Sequence, residues 1–367
     1  MSTAISKKTL ALYTTKVFLS HMAVITLVLL GLVLFFDTIE LLRRASHFES
    51  VPLLRVLQMS FLKLPEVTQV ISPFIILFSS LFTLWSLNSK NEITIFRLAG
   101  YSVWQFIFPM ILSSTVIGLL VIGILNPIGT ILVKKFNTLE QTYLSKDENE
   151  IALFKNGIWL KQPSEKGYAI IHAKELNFPS WTLDNVMALA FNDDDEFLWR
   201  IDSPKASLRE GEWAFENAHI LSQNEEEQKD VSITLPTTLT PEKIEKSFSS
   251  TETMSFWQLP KFIRILESTG FDSASLRIHF QSLMALPFFF ASLILISACV
   301  TLRPPRSQNA FKMVAIGVGT GFILFFLANF LKALGASSQI PIFIAAWSPV
   351  AITALLGGGI LLSLEDG

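Results

Sequence analysis

The chain has 367 residues, of which 50% are hydrophobic and 16% are charged. Soluble globular chains carry about 25% charged residues, so this composition argues against a soluble protein and indicates a membrane protein. The formal net charge of -2 hides a segregation, because residues 137–277 hold 14 Lys/Arg and 24 Asp/Glu, whereas the rest of the chain holds 15 and 7.

Six stretches are long and apolar enough to cross a bilayer. A spanning helix needs about 20 largely apolar residues, because the hydrocarbon core is roughly 30 Å thick and each helical residue rises about 1.5 Å. The predicted spans cover residues 17–36, 67–87, 102–125, 278–302, 313–331 and 343–362. They divide the chain into membrane halves at residues 1–136 and 278–367. Pro127 predicts a kink or a helix end after the third span.

Residues 137–254 show the pattern of a β domain. Short apolar runs alternate with turns such as Asn156-Gly157 and Glu210-Gly211, a spacing typical of an all-β sandwich, jelly roll or open barrel. The predicted strands cover residues 158–160, 168–173, 186–191, 197–201, 213–215 and 231–235. Residues 255–277 return to helical spacing and predict a connecting helix. The expected fold is an α-helical membrane protein with six transmembrane helices and an inserted all-β, jelly-roll-like domain.

The count of basic residues beside the spans does not decide the orientation, because eight Lys/Arg flank each side. Two features favour cytoplasmic termini: the segment before the first span is basic without an acid, and long acidic domains cross membranes largely regardless of charge. We therefore expect both termini in the cytoplasm and the β domain in the periplasm.

The loop from Asn88 to Gly100 joins the second and third spans on the expected cytoplasmic face. Ile93, Phe96 and Leu98 alternate with Glu92 and Arg97, which predicts a short amphipathic helix. Such a helix could receive force from a motor subunit, or its apolar side could rest on lipid head groups.

Arg43 and Arg44 follow the first span directly, where charges must snorkel or pair. They are candidates to bind the anionic head group of a lipid. The alternative is interfacial anchoring, with Glu40 neutralising one of them a turn away.

The fifth span contains four phenylalanines after a run of spaced glycines. They could line an acyl-chain cavity, or they could face bulk lipid and pack between helices. The four are Phe322, Phe325, Phe326 and Phe330.

Familiar catalytic motifs are missing from the sequence. It contains no Walker phosphate loop, no HExxH and no GxSxG, so we predict no catalytic residue, no metal site and no cofactor bound by this chain. His21 and His279 lie in or beside spans without nearby His or carboxylate partners, which favours a packing role for each.

Several local motifs follow one another in an order that resembles a known family. They are Ser255-Phe-Trp-Gln-Leu259, Leu276-Arg-Ile-His through Pro287, Arg303-Pro-Pro-Arg306 and Ala346-Trp-Ser-Pro349. Together with the three-plus-three arrangement of spans, they resemble the LptF/LptG permeases of lipopolysaccharide export over essentially the whole chain. The run from Phe35 to Arg44 and Leu239-Thr-Pro-Glu-Lys243 are more similar to the LptG branch.

The resemblance implies a half-transporter that works with several partners. These are an LptF-like permease paralogue, an LptB-like ATPase dimer that binds ATP and Mg, and an LptC-like single-span protein. It implies that the complex takes lipopolysaccharide from the periplasmic leaflet of the bacterial inner membrane and passes it to a periplasmic bridge. The alternative is a membrane-anchored scaffold or periplasmic lipid-binding protein without transport activity.

The resemblance also implies three groups of site residues. For ATPase coupling they are Glu92, Ile93, Ile95, Phe96 and Arg97. For lipid binding along the first and fifth spans they are Arg43, Arg44, Phe35, Phe36, Phe322, Phe325, Phe326 and Phe330. For a lipid passage inside the β domain they are Ile158, Leu160, Ile170 and Ile171.

Overall fold

The structure is a computed structural model that divides into two compact units. It describes residues 7–46, 51–144, 150–154, 157–164, 167–177, 181–192, 195–209, 211–222, 228–237, 254–268, 273–302 and 310–365. The membrane unit comprises Met1–Leu144, Glu252–Gln258 and Arg277–Gly367. The β unit comprises Ser145–Thr251 and Leu259–Leu276.

Long apolar helices dominate the membrane unit. The helices of the chain are α1 (Lys7–Ala45), α2 (Leu53–Ser89), α3 (Glu92–Leu98), α4 (Val103–Leu120), α5 (Asn126–Leu144), α6 (Leu259–Ser268), α7 (Ala274–Thr301), α8 (Ala310–Ala336) and α9 (Ile342–Glu365). Among the described residues, six helical segments are long and apolar enough to span a bilayer, with α4 and α5 forming one of them. Each overlaps one predicted span, so the six-span prediction is confirmed.

The third span continues through Pro127, where a helix end was one of two predicted outcomes. A π-helical turn at Val121–Leu125 joins α4 to α5 just before this proline. Pro127 has no amide to donate to the carbonyl of Gly123, and the indole nitrogen of Trp257 lies 3.5 Å from that oxygen instead. The local change of helix type and this outside donor let the helix continue.

Close packing holds the membrane unit together. Phe18, Leu84, Phe106 and Phe290 are all fully buried in one apolar cluster contributed by α1, α2, α4 and α7. Small residues let helices approach closely in membrane proteins. At Gly118 of α4 an added Cβ would lie 2.6 Å from the Cα of Pro287 in α7, so these two backbones nearly touch.

Seven antiparallel strands form the sheet of the β unit. They are β1 (Glu150–Phe154), β2 (Gly157–Ser164), β3 (Gly167–Asn177), β4 (Thr182–Phe191), β5 (Phe197–Arg209), β6 (Glu212–Ser222) and β7 (Gln228–Pro236). Each strand pairs with its neighbour in sequence, so the described ladders form an up-and-down meander without a crossover. The prediction of a helical membrane protein with an inserted all-β domain is confirmed. The six predicted strands lie within β2 to β7, and β1 was not predicted.

One face of this sheet is buried. Leu160 pairs with Ile171, Ile171 with Ala188, and Ala188 with Ile201, which gives a continuous row across four strands. All four side chains are almost completely buried. Because side chains alternate between faces, this row defines the inner face of the sheet.

Candidate functional site

The short helix α3 has one inward face and one outward face. Ile93 and Phe96 are only 4% and 6% exposed and belong to the core of the membrane unit, where Phe96 packs 6.1 Å from the ring of Phe106. Ile95 and Leu98 are 54% and 83% exposed on the other side. The helix is therefore anchored by its own chain while it presents apolar side chains outward.

Arg97 is also exposed on α3, whereas Glu92 is tied to the first span. The Tyr13 hydroxyl of α1 donates a hydrogen bond of 2.8 Å to a carboxylate oxygen of Glu92. Glu92 also stands in the first turn of α3, where a negative charge is favourable beside the helix dipole. The predicted coupling residues thus separate by role: Ile93 and Phe96 hold the helix, Ile95 and Arg97 face outward, and Glu92 joins α3 to α1.

The basic residues after the first span are paired with carboxylates. Both Nε and Nη2 of Arg43 donate to Glu40, at 3.0 and 2.8 Å. Arg44 forms a salt bridge with Glu140 of α5. Both pairs lie at the end of α1. The pair of Arg43 with Glu40 is exposed, where water screens ion pairs, so a phosphate can compete for Arg43.

The phenylalanines of α1 and α8 lie on the outside of the unit. All six predicted lipid-binding rings are exposed, namely Phe35, Phe36, Phe322, Phe325, Phe326 and Phe330. Phe326 and Phe330 stack one turn apart with ring centroids 6.3 Å apart. Phe325 instead packs against Phe74 of α2 at 5.6 Å. Phe325 therefore packs toward α2, whereas Phe326 and Phe330 stack on each other.

The four predicted passage residues of the β unit do not share one face. Leu160 and Ile171 are cross-strand partners on the buried inner face. Ile170 precedes Ile171 in the same strand and therefore points to the opposite face. Ile158 pairs with Ala173 through its backbone, and its side chain lies outside the described residues.

Polar contacts on the β unit are local. The hydroxyl of Tyr168 donates to Asp195 at 2.7 Å, and this hydrogen bond raises the pKa of Tyr168 because it favours the protonated phenol. Arg200 binds Asp202 with two hydrogen bonds of 2.6 and 2.8 Å, which raises the pKa of the guanidinium. Each of these two contacts links residues that are neighbours on the surface of the β unit.

A cavity of about 290 Å³ lies inside the membrane unit, and sequence reasoning did not find it. Helices α2, α7, α8 and α9 line it. Its polar lining consists of Gln69, His279, Ser282, Asn329 and Lys332. The sequence predicts a packing role for His279 and no site role for Lys332. The available signal was that Lys332 is the single charged residue between Met313 and Ser363.

Comparisons with known proteins extend along nearly the whole chain. The chain is 22% identical over 320 residues to the lipopolysaccharide export system permease protein LptG of Escherichia coli strain K12, covering 83% of this chain and 84% of that protein. It is 22% identical over 291 residues to the LptG protein of Haemophilus influenzae, covering 76% of each chain. The family model described as lipopolysaccharide export system permease LptF/LptG matches residues 12–363. The chain therefore belongs to the LptF/LptG family of lipopolysaccharide export permeases and is similar to its LptG members.

Proposed function

We propose that the chain is the force-receiving permease subunit of an ATP-driven transporter that extracts lipopolysaccharide from the periplasmic leaflet of the inner membrane and passes it to a periplasmic bridge. The observation that carries this proposal is the two-sided α3. Its inward residues Ile93 and Phe96 fix it to the spans, while Ile95, Arg97 and Leu98 form an outward surface suited to a second protein. A helix that only rested on head groups would not need so rigid a link to the core.

The partners in this proposal follow from family membership. An LptF-like paralogue completes the membrane cavity, an LptB-like ATPase dimer binds ATP and Mg, and an LptC-like single-span protein begins the bridge. Both termini and α3 face the cytoplasm, and the β unit faces the periplasm. This chain contributes the moving helices and no hydrolytic site.

Force would enter at α3 and leave through α1. Closure of the motor dimer on ATP would displace the outward surface of α3, and the core contacts of Phe96 would carry that displacement into the helix bundle. The hydrogen bond from Tyr13 to Glu92 gives α1 a direct connection to the same movement. A shift of α1, and of α8 with its exposed phenylalanines, would narrow the lipid cavity and expel its contents.

Reconstitution tests the proposal as a whole. The chain and its three kinds of partner are placed in proteoliposomes with lipopolysaccharide, and ATP-dependent release to a soluble periplasmic acceptor is measured. We expect release only with ATP and with the complete set of subunits, and no ATP hydrolysis by the purified chain alone. Substantial hydrolysis by the lone chain, or release without the ATPase, contradicts it.

The inner face of the β unit supports a separate prediction about the passage. Photo-crosslinkers at Leu160 and Ile171 are expected to capture lipopolysaccharide during ATP-driven transport, because both side chains lie on the apolar inner face. A crosslinker at Ile170 is the matched control, since it differs by one residue and points to the opposite face. Equal capture at Ile170 and Ile171, or capture that does not depend on ATP, argues against a passage along this face.

A further inference from the structure

The cavity of the membrane unit is polar at one end and apolar at the other. Successive spans alternate in direction, so α2 and α7 begin, and α8 ends, on the side of the membrane that carries the inserted β unit. Gln69 precedes Leu77 in α2, Ser282 precedes Leu293 in α7, and Lys332 follows Leu324 in α8. Gln69, Ser282 and Lys332 therefore each lie nearer to that side than the leucine named with them. The separation is roughly 12 Å or more, at about 1.5 Å per residue. The cavity is therefore polar near that membrane surface and apolar deeper in the bilayer, as is a lipid in the leaflet on that side.

Lys332 supplies the positive charge at the polar end. Three other basic residues near this side of the spans, Arg43, Arg44 and Lys63, each have a carboxylate within 4.0 Å. Lys332 has no such carboxylate and no side-chain hydrogen bond among the described residues, although it is partly buried. A cation in a membrane domain is costly unless it reaches the interface or meets an opposite charge. Because Lys332 lines the cavity without a carboxylate among the described residues, the cavity suits an anionic ligand.

Two other residues that line the cavity have hydrogen-bond donors without acceptors among the described residues. The buried hydroxyl of Ser282 makes no hydrogen bond within the described part of the chain. Asn126 accepts from the amide of Phe256 and donates to the side-chain oxygen of Gln69. The NH₂ group of Gln69 has no acceptor within the described part of the chain and can act as a donor. A phosphate has acceptor oxygens for an ammonium group, a hydroxyl and an amide together.

We propose that this cavity binds the phosphate-bearing head group of a membrane lipid at Lys332, with an acyl chain extending toward Phe289 and Leu293. Ser282 and Gln69 complete the head-group contacts. The apolar end receives a hydrocarbon chain between α2 and α7, where Phe74 and Leu77 form the opposite wall. The volume of about 290 Å³ corresponds to part of a lipid, so the remaining chains lie outside in the bilayer.

This site shares only Phe325 with the phenylalanine surface of α8. Phe322, Phe326 and Phe330 are exposed and do not line it, whereas Phe325 does. Lipid binding at Lys332 can therefore be measured on the purified chain without transport. Phosphate is shared by lipopolysaccharide and by glycerophospholipids, so the test must distinguish these two sources.

The experiment is native mass spectrometry of the purified full-length chain in neutral detergent, titrated with lipid A, with phosphatidylglycerol and with diacylglycerol. The variant is Lys332→Met, which keeps an unbranched side chain and removes the charge. We expect the variant to bind at least one phosphate-bearing lipid about tenfold more weakly than wild type, since a charge-assisted contact is lost. Diacylglycerol, which has no phosphate, should bind weakly and equally to both proteins.

Lys135→Met is the matched control, because Lys135 is an exposed lysine of α5 that does not line the cavity. A selective loss of lipid A assigns the site to lipopolysaccharide, a selective loss of phosphatidylglycerol assigns it to a membrane phospholipid, and loss of both shows that the site recognises phosphate alone. The thermal midpoint provides a second measurement, since added ligand should raise it for wild type more than for Lys332→Met. Unchanged affinities for both phosphate-bearing lipids, or an equal effect of Lys135→Met, overturns the proposal.

Discussion

In the transporter complex that we propose, lipid-stimulated ATP hydrolysis is expected to fall about tenfold when Glu92 is replaced by lysine, because hydrogen bonds to charged groups contribute on the order of 1.5–3 kcal/mol. The substitution removes the carboxylate that accepts a hydrogen bond of 2.8 Å from the Tyr13 hydroxyl. It also places a positive charge in the first turn of α3, where the helix dipole is unfavourable to cations. The measurement is the ATPase rate with and without lipopolysaccharide, together with recovery of all subunits.

Tyr13→Phe separates the two roles of Glu92. It keeps the carboxylate and the aromatic ring and removes only the hydroxyl donor. If Glu92 couples through α1, this variant should lose part of the lipid stimulation while the complex still assembles. If Glu92 acts only on the motor subunit, Tyr13→Phe should match wild type and Glu92→Lys should still be impaired. Normal assembly and normal stimulation in Glu92→Lys would show that Glu92 does not couple.

A single methyl group at Gly118 is expected to destabilise the membrane unit by about 1–3 kcal/mol, the usual cost of overpacking. The added Cβ would lie 2.6 Å from the Cα and 3.0 Å from the Cβ of Pro287. Backbone atoms cannot move aside as the end of a flexible side chain can, so α4 and α7 must separate. The thermal midpoint of the purified Gly118→Ala protein should fall.

Gly123→Ala provides the control in the same span. An added Cβ at Gly123 meets no atom within 4 Å in the described structure, so this variant should be neutral or slightly more stable. Equal loss of stability in both variants would mean that the close contact of α4 with α7 is not the cause of the destabilisation.

The spans and most strands were predictable because each depends on a local property. Continuous apolarity over the length of a bilayer marks a span whatever surrounds it. Strands such as 168–173 and 186–191 were recognisable by their apolar runs and flanking turns. Strand β1 is not predicted because Glu150–Phe154 is short and forms a strand by pairing with β2. The local sequence pattern does not indicate this pairing.

The candidate site was less predictable because its geometry comes from tertiary packing. The amphipathic pattern located α3, but only the structure shows that Glu92 meets Tyr13, 79 residues away. Ile170 and Ile171 appear equivalent as two apolar neighbours, and the register of β3 with β4 places only Ile171 on the buried face. Lys332 acquires a role only when three other helices line the same cavity.

The two faces of α3 subject its residues to different evolutionary constraints. Ile93 and Phe96 must suit the core of their own chain, so a change there affects folding before it affects any partner. Ile95, Arg97 and Leu98 are exposed and free of that requirement. Under the proposed function they can change together with the surface of the motor protein. Exchanging these three outward residues between two members of the family should therefore transfer the choice of ATPase while leaving the membrane fold unchanged.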